Sequence, residues 1–434
     1  MSAPALPTRR DVETTAARLA EVLAPTPLRR NARLSTATGW DVWLKREDLQ
    51  PVRSYKGRGA LAMLAALDDD ARAAGVTCAS AGNHAQGLAF ACARARVRER
   101  IFLPRTTPRQ KRERVAVLGG DWVEVVLTGE TYDDAAAAAA AYAAASSATV
   151  VPAFDDPRVI AGQGTVTTEL LEQFAAESAH EDGRGGPALP DVLVVPVGGG
   201  GLIAGAVCAL EDRPVRLVGA EPAGAASMAA ALAAGGPVDL PELDGFVDGA
   251  AVRRVGALTH AVVASRAEPP TMLAVAEGRI CVEMLDLYQS DGIVAEPAGA
   301  LAGAALDQLA ALPDAPPQGA SVVCVVSGGN NDVSRYAEVV ERALVHEGRK
   351  HYFLVEFPQE PGALRRFLDE VLGPEDDITL FEYVKRSSRE TGPALVGIEL
   401  GDPADLYGLN ERLAASPLRV ESVAPESPLF RYLL

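Results

Sequence analysis

The chain has 434 residues, 48% of them hydrophobic, a size and make-up that predict a globular protein of two or three domains. Its formal net charge of −17 argues against a nucleic-acid partner, because neutralising a phosphate backbone takes a basic surface. No run is suited to a bilayer span: the most apolar-looking one, 134–151, is mostly alanine and predicts a small-faced helix leading into a strand.

Residues 1–25 contain arginines but no apolar core of signal-peptide length, so no export signal is expected. After this helix-like start, 41–45 (DVWLK) reads as a short strand, and strand and helix patterns alternate to about residue 345. The segment 76–80 leads through a Gly-Asn turn to a helix from Ala85, and 101–103 precedes a helix ending at Gly119-Gly120. Residues 122–126 form the next expected strand. Val192-Leu-Val-Val195 meets a glycine run and a helix over 202–210, and 216–220 and 321–326 are further buried strands. Near-continuous Val/Leu runs flanked by helices imply parallel sheets covered on both faces, an α/β body. The stretches 183–187 and 313–317 are expected surface loops, and 333–344 a connecting helix. From Lys350 the pattern becomes βαββαβ: strands at 351–357, 378–384, 394–400 and 418–423, with helices at 363–372 and 405–415. This is a ferredoxin-like module. The division expected is a catalytic domain over 1–345 and a second domain over 346–434.

Cys78, Cys92, Cys208, Cys281 and Cys324 are odd in number and scattered, a pattern of reduced thiols in a cytoplasmic protein. The histidines show no metal-ligand spacing, so no metal is expected.

Four motifs fall at strand-to-helix junctions, where α/β folds build sites. In Ser54-Tyr-Lys-Gly-Arg-Gly-Ala60, Lys56 opens a helix, where its charge opposes the macrodipole; covalent use of the amine would remove the conflict. In Ser80-Ala-Gly-Asn-His-Ala-Gln-Gly87, backbone N–H groups and the Ser80 hydroxyl could hold a carboxylate, and the Asn83 amide could donate to a phenolic oxygen; a plain helix cap is the alternative. The four glycines of Pro196-Val-Gly-Gly-Gly-Gly-Leu202 let several N–H groups converge on a phosphate. Val325-Val-Ser-Gly-Gly-Asn330 ends a buried strand with a hydroxyl and a tight turn. Together they meet the needs of pyridoxal 5′-phosphate acting on an amino acid.

With EPAGA at 296–300, these motifs match in order and spacing the threonine dehydratases, and the chain resembles that family of fold type II, tryptophan-synthase-β-like enzymes along essentially its whole length. Its C-terminal part looks like the ACT-like regulatory domain of the biosynthetic, isoleucine-pathway members. The resemblance implies a catalytic domain of two open parallel-sheet subdomains and an α+β ferredoxin-like regulatory domain. It makes Lys56 the lysine joined to the cofactor aldehyde and the base for the Cα proton. Asn83 would be the partner of the cofactor's 3-hydroxyl. Gly198, Gly199, Gly200, Gly201 and Leu202 would bind its phosphate, and Ser327 would face the ring nitrogen. Ser80, Ala81, Gly82, Asn83 and His84 would hold the substrate carboxylate. Tyr55 stands where relatives commonly have phenylalanine, and keeps the aromatic ring. Related racemases carry a serine, acting as an acid, at the position of Ala81, which transfers no proton. Some relatives bind a divalent cation where this chain has Glu221 and Ser227, with an aspartate in place of Ser227; this chain lacks that carboxylate, an anionic ligand such cations favour, which leaves the need for a cation open.

The implied reaction is conversion of L-threonine to 2-oxobutanoate and ammonia, with a catabolic serine/threonine dehydratase as the alternative. A branched-chain amino acid, isoleucine or valine, is the implied effector, and a homotetramer or homodimer the implied assembly. Backbone amides at 358–362 are the expected effector contacts.

Overall fold

The computed structural model describes residues 5–181, 188–383, 390–424, 427, 429, 430 and 433; the loop expected at 183–187 and the last residue of the strand expected at 378–384 lie outside them. Contacts group the chain into two compact units, one of residues 1–277 with 286–331 and one of 278–285 with 332–434.

In the first unit, β1 (Leu28–Arg30) and β2 (Asp41–Arg46) begin one sheet. A second sheet is built from β3 (Val76–Ala79), β4 (Glu99–Leu103), β5 (Val123–Leu127) and β6 (Thr149–Val150). The chain then returns to the first sheet with β7 (Val192–Pro196), β8 (Arg216–Pro222), β9 (Thr271–Val275) and β10 (Ser321–Val326). The first sheet runs β1-β2-β10-β7-β8-β9 and the second β5-β4-β3-β6. All pairings are parallel except the edge pair β1–β2. Every residue of β7 and β10 is buried, which is why these strands read as unbroken apolar runs rather than alternating ones.

Several observed boundaries sit a residue or two from those expected. Trp122 closes a 3₁₀ turn and leaves the strand to begin at Val123. The connecting helix opens as a 3₁₀ turn over Val333–Arg335, where the Asp332 carboxylate accepts from Ser334 N, and is α-helical over Tyr336–His346.

The second unit holds an antiparallel sheet of β11 (Lys350–Pro358), β12 (Asp377–Tyr383), β13 (Thr391–Glu399) and β14 (Arg419–Val423), in the order β12-β13-β11-β14. The helices Ala363–Glu370 and Leu406–Ala415 pack their buried Phe367, Leu409 and Leu413 with Phe353, Val355 and Phe357 of the sheet. This is the expected βαββαβ unit.

Candidate active site

The four sequence motifs lie at the carboxyl ends of parallel strands of the first unit. The segment leading to Lys56 runs beside the turn after β10: Tyr55 N donates to Ser327 O at 3.1 Å, Gly329 N to Arg53 O at 2.9 Å, and Ser54 forms a bridge with Gly328. Lys56 is the first residue of the Lys56–Ala65 helix, as expected. Its Nζ donates to Ala153 O at 3.3 Å and sits 5.0 Å from the centre of the Tyr55 ring.

The helix is held from below by buried charge. Arg58 donates to both oxygens of Glu47 at 2.8 Å and to Glu169 Oε2 at 2.9 Å. Burial disfavours charge on Glu47, but the Arg58 guanidinium, Lys45 and the Thr26 hydroxyl together hold the carboxyl below its usual range. The fully buried Lys45 reaches Glu169 at 2.5 Å and Thr26 O at 2.7 Å.

The asparagine loop ends β3 and opens the Asn83–Ala95 helix. A Cβ on Gly87 would come 2.9 Å from the Lys56 carbonyl carbon, so only glycine lets this helix lie against the lysine's backbone. Asn83 Nδ2 donates to Glu296 Oε1 at 2.6 Å, and its Oδ1 accepts from Asn330 Nδ2 at 2.8 Å. Asn330 also donates to Val52 O at 2.8 Å, so the loop, the lysine segment and the end of β10 meet at one hydrogen-bonded node. Glu296 is buried; burial first, then the Asp248 charge, push its carboxyl up to about 7, against the Asn83 bond and the Lys111 and Lys56 charges.

The loop's other residues differ in what they offer. Ser80, Ala81 and Gly82 are half-buried, and Gly82 borders open space. The N–H groups of Asn83 and His84, at the helix start, have no hydrogen-bond partner among the described residues. His84 is buried with Nε2 2.9 Å from Val151 O, so Nε2 carries the proton it donates there. Burial, then the Lys56 charge, lower its pKa to about 4, leaving a neutral imidazole that fixes the helix start. Ser327 is buried, and its hydroxyl donates to Ala298 O at 3.1 Å, leaving lone pairs as its remaining capacity.

After β7 the glycine run turns into the Gly201–Leu210 helix, with Gly200 at φ +91°. The amides of Gly198, Gly199, Gly200, Gly201 and Leu202 find no acceptor among the described residues, although all but Gly198 are buried. Buried N–H groups left unpaired are costly, and at a helix start they are suited to an anion. The cradle therefore fits a phosphate.

Glu296, Asn330 and Phe154 carried no assigned role in the sequence. Glu296 was marked by the EPAGA motif that it opens, a carboxylate between Ala295 and Pro297 in an otherwise small, apolar stretch. The Glu221 carboxylate accepts from Met228 N at 2.6 Å and Ala229 N at 2.9 Å, so it caps a helix start, with Ser227 buried beside it. Among the described residues no cluster of His, Cys, Asp or Glu is arranged for a metal, and no helix is long and apolar enough to cross a membrane.

The family model for pyridoxal-phosphate dependent enzymes matches residues 19–328, and that for the C-terminal regulatory domain of threonine dehydratase matches 341–433. The L-threonine dehydratase biosynthetic IlvA of Mycobacterium bovis is 56% identical over 426 residues, 98% of this chain and 95% of that one. The processed form of threonine deaminase isoform 2 from Solanum lycopersicum superposes with TM-score 0.69 at 35% identity, over 77% of this chain and 93% of that one. Maize serine racemase gives TM-score 0.69 at 28% identity, over 79% and 99%.

Proposed function

The chain belongs to the pyridoxal-phosphate dependent enzymes and carries the C-terminal regulatory domain of threonine dehydratases, and on that footing we propose that it converts L-threonine to 2-oxobutanoate and ammonia, the first step of isoleucine biosynthesis. When bound, pyridoxal phosphate supplies an electron-accepting ring that stabilises negative charge at the substrate's Cα. Lys56 would hold the cofactor through its aldehyde carbon, and its Nζ would take the substrate's Cα proton. The amides of Gly198, Gly199, Gly200, Gly201 and Leu202 would hold the phosphate. Asn83, braced by Glu296 and Asn330, would donate to the 3-oxygen, and Tyr55 packs beside the lysine. Ser327, buried at the end of β10, would face the ring nitrogen with its hydroxyl. Ser80, Ala81, Gly82 and the amides of Asn83 and His84 receive the substrate carboxylate at a helix start. Ala81 has no ionisable atom, which disfavours the racemase reading raised by the maize enzyme.

What supports the proposal most is one lysine opening a helix in the same unit as five amides that find no acceptor among the described residues at the start of another. The functional boundary is proposed at 345/346. In the second unit a cavity of about 870 Å³ lined by Pro358, Gly362, Leu368, Phe381 and Tyr383 supports binding of isoleucine or valine there. A cytoplasmic homotetramer or homodimer is proposed with it. The test is formation of 2-oxobutanoate from threonine and pyruvate from serine, with and without isoleucine. The proposal expects a higher kcat/KM for threonine and a saturation curve that isoleucine shifts. Preference for serine with no effector response would favour the catabolic reading.

A further inference from the structure

One short connector touches three parts of the site. Between β6 and the Pro157–Glu181 helix, Ala153 O accepts from Lys56 Nζ at 3.3 Å. The next residue, Phe154, backs the glycine run: a Cβ on Gly199 would fall 2.2 Å from its ring. The third, Asp155, accepts from Ala257 N at 3.1 Å, Leu258 N at 2.9 Å and Thr259 N at 3.1 Å, capping the Ala257–Ala264 helix. That helix carries Thr259, fully buried, whose hydroxyl donates to Gly199 O at 2.8 Å and lies 3.1 Å from Gly256 O. Gly256 N adds a longer bond to Gly199 O at 3.4 Å.

In a planar trans peptide the carbonyl of one residue and the N–H of the next point in opposite directions. Holding the Gly199 carbonyl toward Thr259 therefore aims the Gly200 N–H away from it. The bond from Ala204 N to Gly200 O, at 2.9 Å, fixes the Gly201 N–H in the same way. We propose that Asp155 and Thr259 are positioning residues for the cofactor phosphate: Asp155 sets the helix start, Thr259 sets the Gly199 carbonyl, and the orientation of the Gly200 amide follows. The inference rests on the reading of the glycine run as the phosphate cradle.

The experiment titrates apoprotein with pyridoxal phosphate and with pyridoxal, which lacks the phosphate, and follows the absorption band of each. Thr259→Val keeps the shape and loses the hydroxyl. It lowers affinity for pyridoxal phosphate about tenfold, the effect of one lost buried hydrogen bond, and leaves that for pyridoxal unchanged. Thr259→Ser restores the wild-type value, and Asp155→Ala repeats the selective loss. If Thr259→Val does not fold, Asp155→Asn, which keeps one acceptor oxygen at a half-buried position, carries the same comparison. Unchanged affinity for pyridoxal phosphate, or an equal loss for both compounds, overturns the proposal. Wild-type protein that binds the two equally overturns the phosphate cradle itself, and this inference with it.

Discussion

Replacing Glu296 with Gln isolates the carboxyl that braces Asn83. Its rise from the ordinary 4.5 to about 7 means that between those values the folded protein holds a proton that the unfolded chain has released. Stability then falls as pH rises, and the loss is complete above about 7. At about 1.4 kcal/mol per pH unit, the whole effect is roughly 3 kcal/mol, of which roughly 2 kcal/mol lies between pH 5.5 and 8. Glutamine keeps an acceptor oxygen for Asn83 Nδ2 and has nothing to titrate. The groups acting on Glu296 (Asp248, Asn83, Lys111 and Lys56) are common to both proteins, and the shared slopes of Glu99 and Glu221 cancel in the difference. The three tryptophans, Trp40, Trp43 and Trp122, all lie in the catalytic unit, so urea unfolding of apoprotein followed by their fluorescence reports on that unit. The stability of Glu296→Gln relative to wild type should increase by roughly 2 kcal/mol from pH 5.5 to pH 8. A difference that does not change with pH would refute the assignment of a proton to this carboxyl.

Arg58→Met leaves Glu47 buried without its guanidinium and should destabilise the catalytic unit by about 3–5 kcal/mol in the same assay; Glu47→Gln added to it should recover part of that loss. Gly199→Ala places a methyl on the Phe154 ring, so pyridoxal phosphate affinity should fall at least tenfold by titration, with partial rescue by Phe154→Ala. Tyr383→Ala and Leu368→Ala, on the wall of the cavity proposed for the effector, should weaken the saturation shift expected from isoleucine while leaving activity without isoleucine unchanged in initial-rate assays.

The parts of this molecule legible in the sequence are those set by local chemistry. The unbroken runs of β7 and β10 announce a doubly covered parallel sheet, and the alternation of β11 with its flanking helices announces the second unit. The glycine run was readable because unpartnered amides and the φ of Gly200 both call for glycine. His84 illustrates the limit: it lies in the expected loop, yet its ring is spent on Val151 O, a partner that only the fold supplies. Glu296, Asp155 and Thr259 gain their meaning from partners far along the chain, Asn83 at 213 residues and Leu258 at 103. Nothing in the neighbourhoods of Asp155 and Thr259 separates them from a surface acid or a core threonine, and the small, apolar surroundings of Glu296 mark it without naming its partner.

Reduction of the protein with borohydride, followed by mass analysis of its peptides, tests the central claim most directly. The account predicts a single pyridoxyl group on the Nζ of Lys56, and neither label nor turnover in Lys56→Ala. A label on another lysine, or threonine deamination at the wild-type rate by Lys56→Ala, would contradict it.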